Sequence, residues 1–129
     1  MQNLSIVRLV TKGDEILIYK KQSGSVLRDR NLEKNTQFMG WLLKTSGPRI
    51  VFDSLCSSPY FEKTNRTLTY SYSYGTGLNR TDGSFTAPIG GIYYFHFQAR
   101  AIDPTANFMN IKLNGEVAAS AYRSKRYVR

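Results

Sequence analysis

Gly83-Ser84-Phe85-Thr86-Ala87-Pro88, followed closely by Gly91-Ile92-Tyr93-Tyr94-Phe95-His96-Phe97, is the stretch on which the fold turns. Ser84 to Ala87 reads as a short strand that stops at Pro88, because proline has no N–H to give to a ladder. The run from Ile92 to Arg100 is nearly all aromatic or apolar. Flat rings pack well on a pleated surface, so this run suits a central strand buried on much of both faces. Tyr93, Phe95 and Phe97 lie on one side of it, with Tyr94 and His96 on the other.

The pattern repeats in both directions. Toward the C-terminus, Asp103-Pro104 breaks the chain and Phe108 to Leu113 is a strand. Asn114-Gly115 then closes a hairpin with Glu116 to Tyr122, because a two-residue turn of this kind needs positive φ at both positions. Toward the N-terminus, Gly75 to Gly83 is a glycine-rich turn region. Thr67 to Tyr74 alternates Leu68, Tyr70, Tyr72 and Tyr74 with Thr69, Ser71 and Ser73, which predicts one strand with one wet face. Ile50 to Leu55 and Thr36 to Leu43 are strands separated by the compact turn Lys44 to Pro48. Gln22 to Asn35 reads as a long loop. Leu4 to Val10 and Glu15 to Lys21 read as a hairpin about Thr11-Lys12-Gly13-Asp14. Short strands at such spacing, with no long helical period, predict an all-β sandwich or barrel.

Three segments resemble the globular domain of complement C1q: Gly83 to Pro88, then Gly91-Ile92-Tyr93-Tyr94-Phe95, then Leu113-Asn114-Gly115. Family members show G-x-F-T-x-P, G-x-Y-x-F and L-x-x-N-G in this order, and Ile111-Lys112-Leu113-Asn114-Gly115 fits the last only with one residue dropped. Arg49-Ile50-Val51-Phe52 looks like the family's first strand. Ser5 to Leu9 with Lys12 to Ile16 resembles its late hairpin, which carries a Gly-Asp turn, and Thr36 to Leu43 resembles its final strand, T-F-S-G-F-L-L, with Gln37 inserted and Met39 in place of serine. Residues 1–43 therefore look like the end of the family domain and 48–129 like its beginning. Either a circular permutation or a slice across two tandem domains gives this order. The resemblance implies an all-β, antiparallel two-sheet jelly-roll sandwich of C1q/TNF type, with 1–129 as a single domain. In the family the first and last strands lie side by side. Phe38–Leu43 is therefore expected to pair with Ile50–Leu55 across the Lys44–Pro48 turn.

Composition bounds the function. The 129 residues suit one domain, and the formal charge of +9 attracts acidic partners. One cysteine, Cys56, excludes an intrachain disulfide and a multi-thiolate zinc site. The sole histidine, His96, lies within an aromatic strand, where a packed or surface role outweighs a catalytic one. No nucleophile elbow, phosphate-cradling loop or paired carboxylate stands out, so a non-enzymatic protein is expected. No stretch approaches a membrane span. A nucleic-acid motif is lacking, and the aromatics look like core rather than stacking platforms. The N-terminus shows no charged-then-apolar signal pattern. The sequence is therefore cytosolic or an excerpt of a longer secreted protein, and the resemblance favours the extracellular setting.

Several residues carry the functional expectations. Arg28, Arg30 and Lys34 form a basic loop whose guanidinium forks suit carboxylate or sulfate groups on protein or glycan ligands. Asp14, Asp82 and Asp103 are oxygen donors in loops; some family members bind calcium through such groups, and no other cofactor is implied. Asn3, Asn65 and Asn79 begin glycosylation sequons. The resemblance implies a homotrimer, with Tyr93, Phe95 and Phe97 as the interface candidates. The leading reading is an extracellular recognition module of lectin-like or immune type. Its rival is a structural jelly roll that builds a shell or fibre.

Overall fold

The computed structural model describes residues 2–20, 27–28, 37–43, 47, 49–55, 60–61, 66–67, 69–70, 72–99 and 107–123. Every regular element among them is a strand: β1 Gln2–Val10, β2 Glu15–Lys20, β3 Leu27–Arg28, β4 Gln37–Leu42, β5 Val51–Leu55, β6 Tyr60–Phe61, β7 Arg66–Thr67, β8 Tyr72–Gly75, β9 Leu78–Asn79, β10 Ser84–Thr86, β11 Gly91–Ala99, β12 Asn107–Leu113 and β13 Glu116–Arg123. No helix among the described residues is long and apolar enough to cross a membrane.

The strands form an antiparallel two-sheet jelly-roll sandwich. One sheet has the order β1-β11-β4-β5-β8, and the other β13-β12-β2-β10-β9, with β7 also pairing with β2. The expected junction is present. β4 and β5 are antiparallel neighbours, in a register that sets Gln37 opposite Leu55, Gly40 opposite Phe52 and Trp41 opposite Val51. The first forty-odd residues thus supply β1 and β4 to one sheet and β2 to the other, and neither sheet is whole without them.

The core sits between the sheets and is rich in rings. Phe85 of β10 stacks on Phe52 of β5 with centroids 4.5 Å apart and meets Phe95 of β11 edge-on at 5.7 Å. Phe38 of β4 meets Phe52 at 4.9 Å. Ile16, Ile18, Met109 and Ile111 fill the layer from the second sheet. Burying each such side chain is worth about 1.5–3 kcal/mol, which pins the register of every strand that contributes one. Gly40 leaves room for this packing: a Cβ there would lie 2.7 Å from Phe52 and 2.8 Å from Phe95. At the other end, Asn114 and Gly115 both take positive φ, as the β12–β13 hairpin requires.

Four expectations are corrected. β1 and β2 do not pair with each other: β1 joins β11, and β2 joins β10 and β12. Their Gly-Asp connection is a corner between the sheets. Gly13 N–H donates to the Ala87 carbonyl, and the Asp14 carbonyl accepts from Ala87 N–H. Thr67 to Tyr74 is not one strand, because β7 pairs with β2 in the second sheet while β8 pairs with β5 in the first. β11 is buried on one face only, since Tyr93, Phe95 and Phe97 are buried whereas Tyr94, His96 and Gln98 are half-buried. Finally, the expected long loop contains β3, which pairs with β6.

Candidate functional site

The outward face of the first sheet is the feature that distinguishes the surface. Antiparallel pairing lines its side chains up in rows. Asn3, Gln98, Gln37 and Leu55 form one row, and Ser5, His96, Met39, Asp53 and Tyr74 the next. Val7, Tyr94, Trp41 and Val51 form a third, followed by the Leu9–Ile92 pair.

Leucine and valine at exposed strand positions are ordinary when scattered, but here they are gathered. Val7, Leu9, Trp41, Val51, Tyr72, Tyr74 and Ile92 are exposed on this face, with Leu43 just beyond the end of β4. The other large apolar side chain exposed among the described residues, Val117, lies in β13. The Trp41 and Tyr94 rings pack at 4.6 Å, and the Tyr94 and His96 rings stack with planes 4° apart. A concavity of about 490 Å³ opens beside Trp41, Leu43, Arg49 and Val51. Among the described residues Arg49, which continues the outward parity of β5 beyond Val51 and lines the concavity, is the one cation on this face, and Asp53 is its one carboxylate, in a chain of formal charge +9.

A directed hydrogen-bond chain crosses the polar rows. The Asp53 carboxylate accepts from Gln37 Nε2 at 2.8 Å, which fixes the Gln37 amide. Gln37 Oε1 then accepts from Gln98 Nε2 at 3.2 Å. This turns Gln98 Oε1 toward His96 Nε2, 3.4 Å away. An amide oxygen only accepts, so the proton of neutral His96 sits on Nε2 and Nδ1 is the acceptor. The Ser5 hydroxyl donates to that Nδ1 at 2.7 Å and itself accepts from the Tyr94 hydroxyl at 3.2 Å. Ser5 and His96 are not among the residues that line the concavity, and their bond ties β1 to β11 across the outward face of the sheet.

The residues expected from the sequence fall elsewhere. Tyr93, Phe95 and Phe97 are 0, 0 and 1% exposed, so these interface candidates are core residues. Each alternates inward with Phe38, Gly40 and Leu42 of the neighbouring β4, and the row available to a partner is Ile92, Tyr94, His96 and Gln98. Arg28 lies in β3, opposite Tyr60. Arg30, Lys34, Asn65, Cys56 and Asp103 lie outside the described residues. Asn79 is exposed, and its side-chain oxygen accepts from Thr81 N–H at 3.0 Å and from the Thr81 hydroxyl at 2.6 Å.

The two described aspartates among the calcium candidates have turn roles. Asp82 Oδ1 accepts from Ser84 N–H at 2.8 Å and from the Ser84 hydroxyl at 2.7 Å. Asp14 accepts from Thr11 N–H at 2.8 Å and from Asn114 Nδ2 at 2.9 Å. These bonds, led by the one from Asn114, hold the Asp14 carboxyl below its usual range. No group of three metal-ligating side chains forms among the described residues, so they do not fit a calcium cage.

The outward row was missed because Ile92 to Gln98 is apolar or aromatic at both parities, and parity alone does not say which set faces in. The Phe38-x-Gly40-x-Leu42 alternation of its partner strand carried the missing signal. Comparison with protein-family models, curated proteins and solved structures finds no match to this chain.

Proposed function

We propose that this protein is a non-enzymatic binding module of C1q-like type, which associates with further copies of itself through the outward face of the β1-β11-β4-β5-β8 sheet. The gathering of exposed large apolar side chains on that face is the observation that carries the reading. Such a patch on a lone soluble domain marks an interaction surface. The partner is a second copy for an electrostatic reason. Two molecules of charge +9 repel each other, and the described residues of this face carry one cation, Arg49, against one carboxylate, Asp53, so it is where like-charged copies meet at least cost. Closure of the sandwich through the β4–β5 ladder supports the C1q resemblance, since that ladder joins the segments that resemble the family's last and first strands.

Ligand recognition in an extracellular setting is the second part of the proposal. It rests on the resemblance and on the basic loop of Arg28, Arg30 and Lys34, with proteins or anionic glycans as ligands. Sedimentation equilibrium tests the first part: the expected result is a multiple of the 14.7 kDa chain mass, most simply a trimer. An anionic glycan array probed with the protein and with its Arg28→Ala/Arg30→Ala variant tests the second. Assembly without array binding would leave the structural jelly roll as the better reading.

A further inference from the structure

We propose that His96 makes the assembly acid-labile, a regulation that rests on the self-association proposed above. His96 lies inside the face that a second copy would cover, between Ser5 on β1 and Met39 on β4. Its hydrogen bonds suit one protonation state. The relay that starts at the Asp53 carboxylate leaves Nδ1 as an acceptor for the Ser5 hydroxyl. A proton added at Nδ1 turns that contact around. Ser5 must then accept from Nδ1–H and direct its own hydrogen toward Tyr94, whose hydroxyl currently donates to Ser5 at 3.2 Å.

The larger effect is on charge. A protonated imidazole would add a second cation to this face, where Arg49 is the one permanent positive charge among the described residues. Covered by a neighbour it loses water, and burying an uncompensated charge is costly. In the separated chain it stays wet and rests against the stacked Tyr94 ring, an arrangement that favours a cation. Both effects favour the neutral form in the assembly and the charged form in the monomer. The titratable groups facing His96 are few among the described residues. Its own strand contributes Tyr94, β1 and β4 contribute none, β5 beyond β4 contributes Asp53 with the charged Arg49 just before it, and β8 contributes Tyr72 and Tyr74. Asp53 is two strands away, roughly 10 Å, and its near oxygen is occupied by Gln37, so it does not neutralise the cation at contact range.

His96 is the sole histidine, so its Hε1 resonance reports this titration without ambiguity. The test follows that resonance and the sedimentation mass of the full chain between about pH 7.5 and about pH 5.5, at two protein concentrations about tenfold apart. The expected result is an assembly at the upper pH that dissociates at the lower. Below the titration, the association constant should fall by up to about tenfold per pH unit for each subunit. By linkage, the His96 midpoint should move to lower pH at the higher concentration. His96→Gln should stay assembled at the lower pH. Should this variant fail to assemble at all, the concentration dependence of the wild-type midpoint still decides. A wild-type chain that stays assembled at the lower pH, or a midpoint independent of concentration while assembly persists, overturns the regulation and leaves the assembly standing. A monomer at both pH values overturns the assembly itself.

Discussion

The Ser54 hydroxyl donates to the Phe38 carbonyl at 2.7 Å, and neither residue is exposed to solvent. The bond crosses the β4–β5 ladder, the seam between the segment that opens the chain and the segment that continues it. A buried hydroxyl without a partner would be destabilising, so this contact makes serine acceptable inside a core of rings. Ser54→Ala should lower stability by about 1 kcal/mol, seen as a fall in melting temperature of roughly 3–5 °C. Phe38→Ala should cost about 3–5 kcal/mol, because it opens a cavity against Phe52 and Phe95. Equal small effects from the two variants would mean that the seam is not part of the cooperative core.

Gly40 should tolerate no side chain. A Cβ would come within 2.9 Å of the Tyr94 carbonyl, in addition to its close approach to the Phe52 and Phe95 rings. Rings can tilt, but a backbone carbonyl held in the β4–β11 ladder cannot move without breaking the register. Gly40→Ala is expected to destabilise by about 1–3 kcal/mol in chemical denaturation, as overpacking does. A neutral result would show that the two strands sit further apart than described.

The seam and the Asn114-Gly115 hairpin were legible because their signals are local. One is two apolar runs joined by a short turn, and the other a dipeptide suited to positive φ. What the sequence hid was the assignment of strands to sheets. The Gly-Asp turn after β1 looks the same whether the flanking strands pair with each other or diverge, and the choice was made by distant partners, β11 and β12. The tyrosines of residues 70–74 misled in another way. Tyr70 is buried, whereas Tyr72 and Tyr74, at the same parity, are exposed. A ring with a polar tip suits either environment, so period-two spacing carried on unbroken where the chain passed from one sheet to the other. The same ambiguity reversed the expected interface. Tyr93, Phe95 and Phe97 face the core, and the side presented outward holds the polar relay that only coordinates reveal.

Asp14 should give the fold a limb of acid sensitivity. Hydrogen bonds from Asn114 and Thr11 stabilise its ionised form and lower its titration point. A carboxylate lowered in the folded state contributes stability at pH values above its unfolded value, about 3.9, and that contribution is lost as pH falls through the depressed folded value. The same side chain ties the corner after β1 to the β12–β13 turn, where Glu15 N–H also donates to Asn114 Oδ1 at 2.9 Å. Melting temperature should therefore decline below about pH 4, and Asp14→Ala should show both a lower plateau at neutral pH and a shallower acid decline. Parallel acid limbs in the two proteins would remove Asp14 from this role.

Substitutions on the two sides of β11 and its neighbours should separate folding from association. Phe95 is fully buried, so Phe95→Ala should cost about 3–5 kcal/mol and reduce the folded population whatever the protein concentration. Val51 lies one strand beyond β4 on the outward face, paired with Trp41, and is 43% exposed. Val51→Glu should leave the stability of the isolated domain within about 0.5 kcal/mol, since an exposed position away from caps and turns has little to lose. It should nevertheless shift the sedimentation mass toward the single chain, because a carboxylate covered by a second copy loses its water, a cost that the neighbouring Arg49 offsets only in part. Paired thermal melts and sedimentation runs read the two effects separately. A Val51→Glu protein that keeps both its melting temperature and its assembled mass would place the association surface elsewhere on the molecule.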